Sequence, residues 1–395
     1  MTRSVERSVR VLPSRPAESA TATTAVDSAA AVDAADGEPL VRDVSRFARE
    51  VLLPRALTTD REGVPPDTVT ALRSAGVLNH LAPAGFDGAA LDRAADRRLH
   101  EVLAHACFNT WLVWAQHAPT VARIAGLHAR GDRHPLAEGV LRGDILVGAG
   151  LSDVRRFPDR YVRATRRGGS LRFDGTVSWV SGWGLNSALL LAAVEAESEQ
   201  VVVALVPVGP RMEAGPLDLA AVRGSRTRRV RLDGVEVPDE YVLDVQPLAE
   251  YRAADRSMTH DARGHVFGLA RRVLDELGQE RAAEAVVEQW TPYVAELRER
   301  AYTLADEALA VADPGHRRQE RLDLKVRAGE AVSALSRALV VARSGRGLAA
   351  DDTAQLHARS ALFVLVQGQT TEVRDAQLAR AAALPDAITP PTPRP

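Results

Sequence analysis

A mainly α-helical chain with a central antiparallel β-domain is the fold class the sequence predicts. Three observations carry it. Apolar residues recur every third or fourth position from Leu40 to about Ala118, give way to short Val- and Leu-rich runs between about Leu146 and Leu243, and return to helical spacing after Leu248. In the first block, Val44, Phe47, Ala48 and Val51 make one helical stripe that Pro54 ends, and a second helix over 66–75 stops at Gly76. Residues 91–118 read as one long helix. Leu99, Val102, Leu103 and Ala106 line one side of it, and Phe108, Trp111, Leu112, Val113 and Trp114 then make it apolar all round, so it is expected to be buried. The middle block predicts strands over 161–165, 170–173, 177–180, 188–194, 201–206 and 230–237, with Asp174-Gly175 and Asp233-Gly234 read as punctuation between strands. In the last block, Val266, Leu269, Ala270, Val273 and Leu274 form one stripe. Val332, Leu335, Leu339 and Ala342 form another, which fits a bundle core or an interface between copies, and Leu362, Phe363, Val366 and Leu378 fit a last helix or a broken pair. The expected boundaries are a disordered leader at 1–37, helical residues 38–145, a β-domain at 146–245, a helical bundle at 246–384 and a proline-rich tail at 385–395.

Composition excludes several classes. The 395 residues carry 50 Lys+Arg against 52 Asp+Glu, so no bulk positive charge is available to hold a nucleic acid. Cys107 is the only cysteine, which excludes an intrachain disulfide and a cysteine-based zinc cluster, and no metal site is expected. No apolar run approaches the roughly 18–20 residues that span a bilayer, so no membrane partner is expected. Residues 1–15 lack an apolar export core, and the expected location is cytoplasmic. Lys325 is the only lysine, which all but removes amine chemistry from the candidate mechanisms.

Four segments carry chemistry or fold information. In Gly175-Thr176-Val177-Ser178-Trp179-Val180-Ser181-Gly182, Trp179 and Ser181 stand two apart on a strand and share a face, so an indole can cover an aromatic ring while a hydroxyl bonds its edge. A core tryptophan followed by a turn serine is the alternative. Gly224-Ser225-Arg226-Thr227 precedes the strand Val230-Arg231-Leu232-Asp233-Gly234-Val235-Glu236-Val237-Pro238; Ala149-Gly150-Leu151-Ser152-Asp153 lies upstream, and Arg359 to Arg380 downstream.

In this order the segments resemble the acyl-CoA dehydrogenase family over about residues 40–384. The resemblance implies an N-terminal helical domain, a β-barrel-like middle and a C-terminal four-helix bundle, with FAD between the last two. The segment from Gly175 resembles the family's G-x-K-x-W-I-T/S with Val177 in place of lysine, which implies Trp179 against the flavin and the Ser181 hydroxyl toward its N5 or O4. The segment from Gly224 resembles a strand-pair marker that carries no chemistry. Ser152 takes the place of the Thr in T-E-P that contacts the flavin pyrimidine, Thr370 falls on the Thr of E-G-T and Arg380 on the terminal Arg. The implied cofactor is FAD, its implied contacts are Ser152, Trp179, Ser181 and Thr370, and the implied assembly is a homodimer or homotetramer.

The departures concern catalysis. An α-proton of a thioester is weakly acidic, so a base must lie within hydrogen-bond reach of it. Gly368 stands where the family most often has its glutamate, Met258 stands at the minority position, and the R-x-x-F-G tetrad is absent. Glu372, one helical turn from Gly368, and Asp261, beside His260 near the second position, are the candidate substitutes. Ordinary roles are expected for Asp153 (a loop cap), His357 (an exposed helix face), His105 and His117 (core or edge), and Cys107 and Met258 (core). The leading expectation is FAD-dependent α,β-oxidation of an acyl thioester. The alternatives are a reduced-flavin monooxygenase of the same superfamily and an inactive member that binds or dimerises. The electron acceptor, or a flavin reductase, is left open. The cleft is expected to be largely apolar, walled by the helix around Trp111 and Trp114 and by the Trp179 strand.

Overall fold

The computed structural model describes residues 28–313 and 315–388. The first block folds into helices α1 (Ser28–Ala34), α2 (Pro39–Phe47), α3 (Ala56–Glu62), α4 (Pro66–Ser74), α5 (Arg93–Ala106), α6 (Phe108–Ala115), α7 (Ala118–Ala129) and α8 (Ala137–Leu141). The expected long helix over 91–118 is therefore broken. Cys107 leaves the helical region with φ −152°, and α6 turns into the core with Trp111 and Trp114 almost fully buried. Periodicity misses this break because the sequence stays apolar on both sides of it. Helix also starts earlier than composition implied: α1 lies within the expected leader, buries Val32 and pairs Asp33 with Arg298 at 2.8 Å. Residues 1–27 of that leader and 389–395 of the expected tail lie outside the described residues.

The middle block is an eight-stranded sheet. Its strands are β1 (Val147–Gly150), β2 (Arg163–Arg167), β3 (Ser170–Val180), β4 (Ala188–Glu195), β5 (Gln200–Pro207), β6 (Met212–Gly215), β7 (Arg228–Pro238) and β8 (Val242–Pro247). The order is β6-β7-β3-β2-β4-β5-β8, with β1 alongside β4. Most pairs are antiparallel as expected, but β1 and β2 both meet β4 in parallel. Asp174-Gly175 and Asp233-Gly234 do not separate strands. They face each other inside β3 and β7, where the register shifts and a β-bulge lets two residues oppose one. Glycine is required there: Gly175 has φ +138°, and a Cβ on it would lie 2.8 Å from the Tyr161 carbonyl oxygen. β4 and β5 read as continuous apolar runs because they are covered on both faces. Leu189, Leu191 and Ala193 pack toward β3 and β7, while Leu190 and Val194 pack on Val121, Ile124 and Val140 of the helices.

The last block is helical: α9 (Leu248–Thr259), α10 (Gly264–Leu277), α11 (Glu284–Ala310), α12 (Arg318–Ala342), α13 (Thr353–Val366) and α14 (Thr371–Ile388). α13 and α14 are the broken pair, and Val332, Leu335 and Leu339 are fully buried in the bundle core. α10 crosses α5 so closely that a Cβ at Gly268 would sit 2.3 Å from the Glu101 carbonyl oxygen. One continuous core thus joins the first and last helical blocks, and the sheet lies against both. Arg359 of α13 ties the three blocks together, pairing with buried Asp60 at 2.8 Å and donating to the Ala220 carbonyl at 3.1 Å.

Candidate functional site

A cavity of about 990 Å³ opens where the sheet meets the bundle. Such a volume is at the upper end of the roughly 300–1,000 Å³ of ligand pockets. Its sheet-side wall is built by Asp153, in the 3₁₀ turn Ser152–Arg156 that follows β1. This carboxylate is buried and accepts from the Ser178 amide at 2.7 Å and the Ser178 hydroxyl at 2.7 Å. Arg156 donates to it at 3.2 Å and to the Ser178 hydroxyl at 2.7 Å. The network fastens the turn to β3, so Ser152 and Trp179 stand side by side on the cavity wall. Strand alternation then buries Ser178 and Val180 and leaves the Trp179 indole 38% exposed. Ser181 is turned into the same wall. Its hydroxyl is 2.9 Å from that of Thr227, which is 2.7 Å from that of Ser225. The segment from Gly224, read as a fold marker without chemistry, therefore orients the Ser181 hydroxyl; a hydroxyl that accepts from Thr227 keeps its own proton to donate.

The bundle-side wall runs from Phe363 to Arg374. Thr370 caps α14, its hydroxyl accepting from the Val373 amide at 3.3 Å. Glu372 stands in the first turn of that helix and lines the cavity, with Arg256 at 3.9 Å. Burial raises its pKa, but its own amide, the Thr370 hydroxyl and Arg256 outweigh that, and the net direction is downward. Asp261 is elsewhere. Arg321 grips it through two hydrogen bonds of 2.6 and 3.0 Å, and it does not line the cavity. Gly368 has φ +60° as it leaves α13, and a Cβ there would meet Lys325 Nζ at 3.6 Å. That Nζ donates to the carbonyls of Thr259 at 2.6 Å, Gln367 at 3.3 Å and Gly368 at 3.5 Å, so it closes the ends of α9 and α13 together. Burial first, then Arg263 and Arg155, lower its pKa to about 7 against the pull of Asp261 and Asp255.

The cavity is not the apolar cleft expected. Arg155, Arg156, Arg252, Arg256 and Arg374 line it against only Asp255 and Glu372. Arg155 and Asp255 pair at 2.6 and 2.8 Å, and Arg156 is turned to Asp153, so the lining keeps more arginine than carboxylate. Trp111 and Trp114 do not line it; Leu112 and Gln116 do. Two further expectations are corrected. His357 is buried rather than on an exposed face, because its Nε2 bonds Glu276 at 2.8 Å. Met258 is 57% exposed rather than core. His260 is buried with neither ring nitrogen bonded, and burial lowers its pKa. His117 is a satisfied core residue, bonding the Leu78 carbonyl at 2.7 Å and the Val147 amide at 3.2 Å. Among the described residues, no group of three or more potential ligands could hold a metal, and no helix is long and apolar enough to cross a membrane.

Residues 35–130 match the family model for the acyl-CoA dehydrogenase N-terminal domain. The fold matches that of butyryl-CoA dehydrogenase from Megasphaera elsdenii, at 15% identity and TM-score 0.70, over 87% of this chain and 97% of that one. The chain thus has the fold of the acyl-CoA dehydrogenases, and residues 35–130 resemble that family's N-terminal domain. Two other solved structures are similarly near. A glutaryl-CoA dehydrogenase from Mycobacterium smegmatis in complex with FADH2 has 17% identity and TM-score 0.70, over 88% and 94% of the two chains. KijD3 in complex with dTDP has 17% identity and TM-score 0.71, over 89% and 97%. No curated protein matches the chain.

Proposed function

We propose that this protein is an FAD-dependent oxidoreductase that oxidises an acyl thioester at its α,β-bond. One observation carries the reading: Ser152, Trp179, Ser181, Thr370 and Glu372, spread over more than half the chain, all line the same cavity. The residues present fit the cofactor. A half-exposed indole offers a stacking face, the Ser152 and Ser181 hydroxyls offer donors, and the arginines offer partners for a pyrophosphate. A bound FAD supplies the acceptor for the β-hydride.

This chain's own task is then to bind, orient and take the α-proton. Of the two carboxylates on the cavity wall, Asp255 is committed to Arg155, which leaves Glu372 as the acceptor. Its lowered pKa keeps it ionised at neutral pH but also makes it a weak base, so slow turnover follows. Thr370 and the backbone of α14 hold Glu372 in place, while Arg256 steadies its charge.

The test is the visible spectrum of the purified protein before and after an acyl-CoA panel is added. Bound flavin should bleach with a thioester, and Glu372→Gln should slow bleaching by about 10²-fold or more while leaving flavin occupancy intact. Flavin that a thioester does not bleach, together with rapid oxygen uptake when a reductase is added, would instead favour the reduced-flavin monooxygenase. That second reading is supported by Gly368 and by the depressed Glu372, since it needs no strong base at either place. Absence of any flavin-dependent turnover would leave a binding or dimerisation role.

A further inference from the structure

The lining of the cavity is asymmetric. Its charged groups lie on α9, α14 and the turn after β1, whereas the α6 and α13 end contributes Leu112 and Phe363, both packed in the same apolar core. An alkyl chain would be driven to that end by the burial of its methylenes. Directly behind it the space is filled. The Phe363 ring stands edge-on to Phe108 at 6.0 Å, Phe108 is 4.8 Å from Trp111, and Trp111 is stacked on His265 at 4.1 Å with planes 17° apart. Phe108, Trp111 and His265 are each buried, and the Trp111 N–H donates to His100 Nδ1 at 2.9 Å. Swinging the indole aside would orphan that buried donor, and close-packed rings do not yield to an inserted chain without strain.

We propose that this aromatic plug sets substrate specificity and that the protein takes only short acyl groups, Phe363 being the residue that closes the apolar end. The inference rests on the thioester reading above and names the class of acyl group within it. Each methylene beyond Phe363 has to displace a ring. Discrimination against longer chains is therefore steep, because a single misfit methylene in a pocket is worth roughly 10–200-fold.

Calorimetric titration of the purified protein with butanoyl-CoA and dodecanoyl-CoA tests it, alongside the visible spectrum of the same sample. Butanoyl-CoA should bind at least tenfold more tightly than dodecanoyl-CoA. Phe363→Ala, with a native circular dichroism spectrum, should shift that ratio toward the longer chain by about tenfold. If the alanine variant does not fold, Phe363→Leu should shift the ratio in the same direction by less. Equal or tighter binding of dodecanoyl-CoA to the unaltered protein overturns the proposal, as does a folded Phe363 variant with an unchanged ratio. Binding of neither thioester also overturns it, and the flavin absorption of that sample then shows whether the cofactor reading survives.

Discussion

The two walls of the cavity are built on different terms. On the sheet side, buried hydrogen bonds set the groups that would meet a flavin: Asp153 fastens the Ser152 turn to β3, and Thr227 orients Ser181. On the bundle side, Gly368 stands where a catalytic glutamate is expected, a half-buried lysine closes the ends of two helices behind it, and the remaining candidate base is nearly half exposed. The wall that would hold a ring keeps the motif almost intact. The wall that would move a proton instead carries Arg252, Arg256 and Arg374, with Lys325 behind it. Binding and proton transfer can thus diverge on one scaffold, because the first needs a fixed surface and the second needs one group at one place.

The largest expected effect lies on the sheet side. Asp153→Ala leaves the Ser178 amide and hydroxyl without their buried acceptor and should cost about 3 kcal/mol of stability, read from the urea unfolding midpoint. Flavin retention should fall with it. Trp179→Ala should keep the fold and weaken flavin binding about tenfold in an equilibrium titration, the value of one aromatic contact. Ser181→Ala should weaken it about fivefold, the worth of one hydrogen bond. If Trp179→Ala had no more effect than a change at Met258, the two walls would not differ in the way described.

The order of the blocks was legible because helical and strand periods differ and each was sustained. The pairing of Trp179 with Ser181 was legible because strand alternation alone puts them on one wall. Other features depend on partners far away in sequence, and no local pattern records them. Thr227 gains its role only because β7 lies beside β3, and His357 finds a partner inside the fold because Glu276 of α10 accepts a hydrogen bond from its ring. Asp261 has the right residue type at the right place in the chain, but Arg321 occupies it. The break at Cys107 is silent because no Gly or Pro marks it and apolar residues run straight through it. Lys325 was set aside on rarity, yet being the sole lysine was itself the available signal.

That lysine carries the subtlest expectation on the bundle side. Its folded pKa, about 7, lies below the ordinary 10.5. Between those values the unfolded chain therefore holds the proton more tightly than the folded one, and this residue makes stability rise with pH through that window. Reductive methylation with labelled formaldehyde puts a single side-chain probe on the protein, and its NMR titration should show a midpoint near 7. A midpoint near 10.5 would mean that the helix-end clamp is open to solvent.

The most direct measurement is a titration of the flavin-stripped protein with FAD, following tryptophan fluorescence and flavin absorption together, for the unaltered chain and for Trp179→Ala. The account predicts saturable binding with strong fluorescence quenching in the former, and weaker binding with most of the quenching lost in the latter. A well-folded protein that takes up no FAD at any supply, or whose quenching is untouched by the substitution, would contradict the placement of a flavin on this wall.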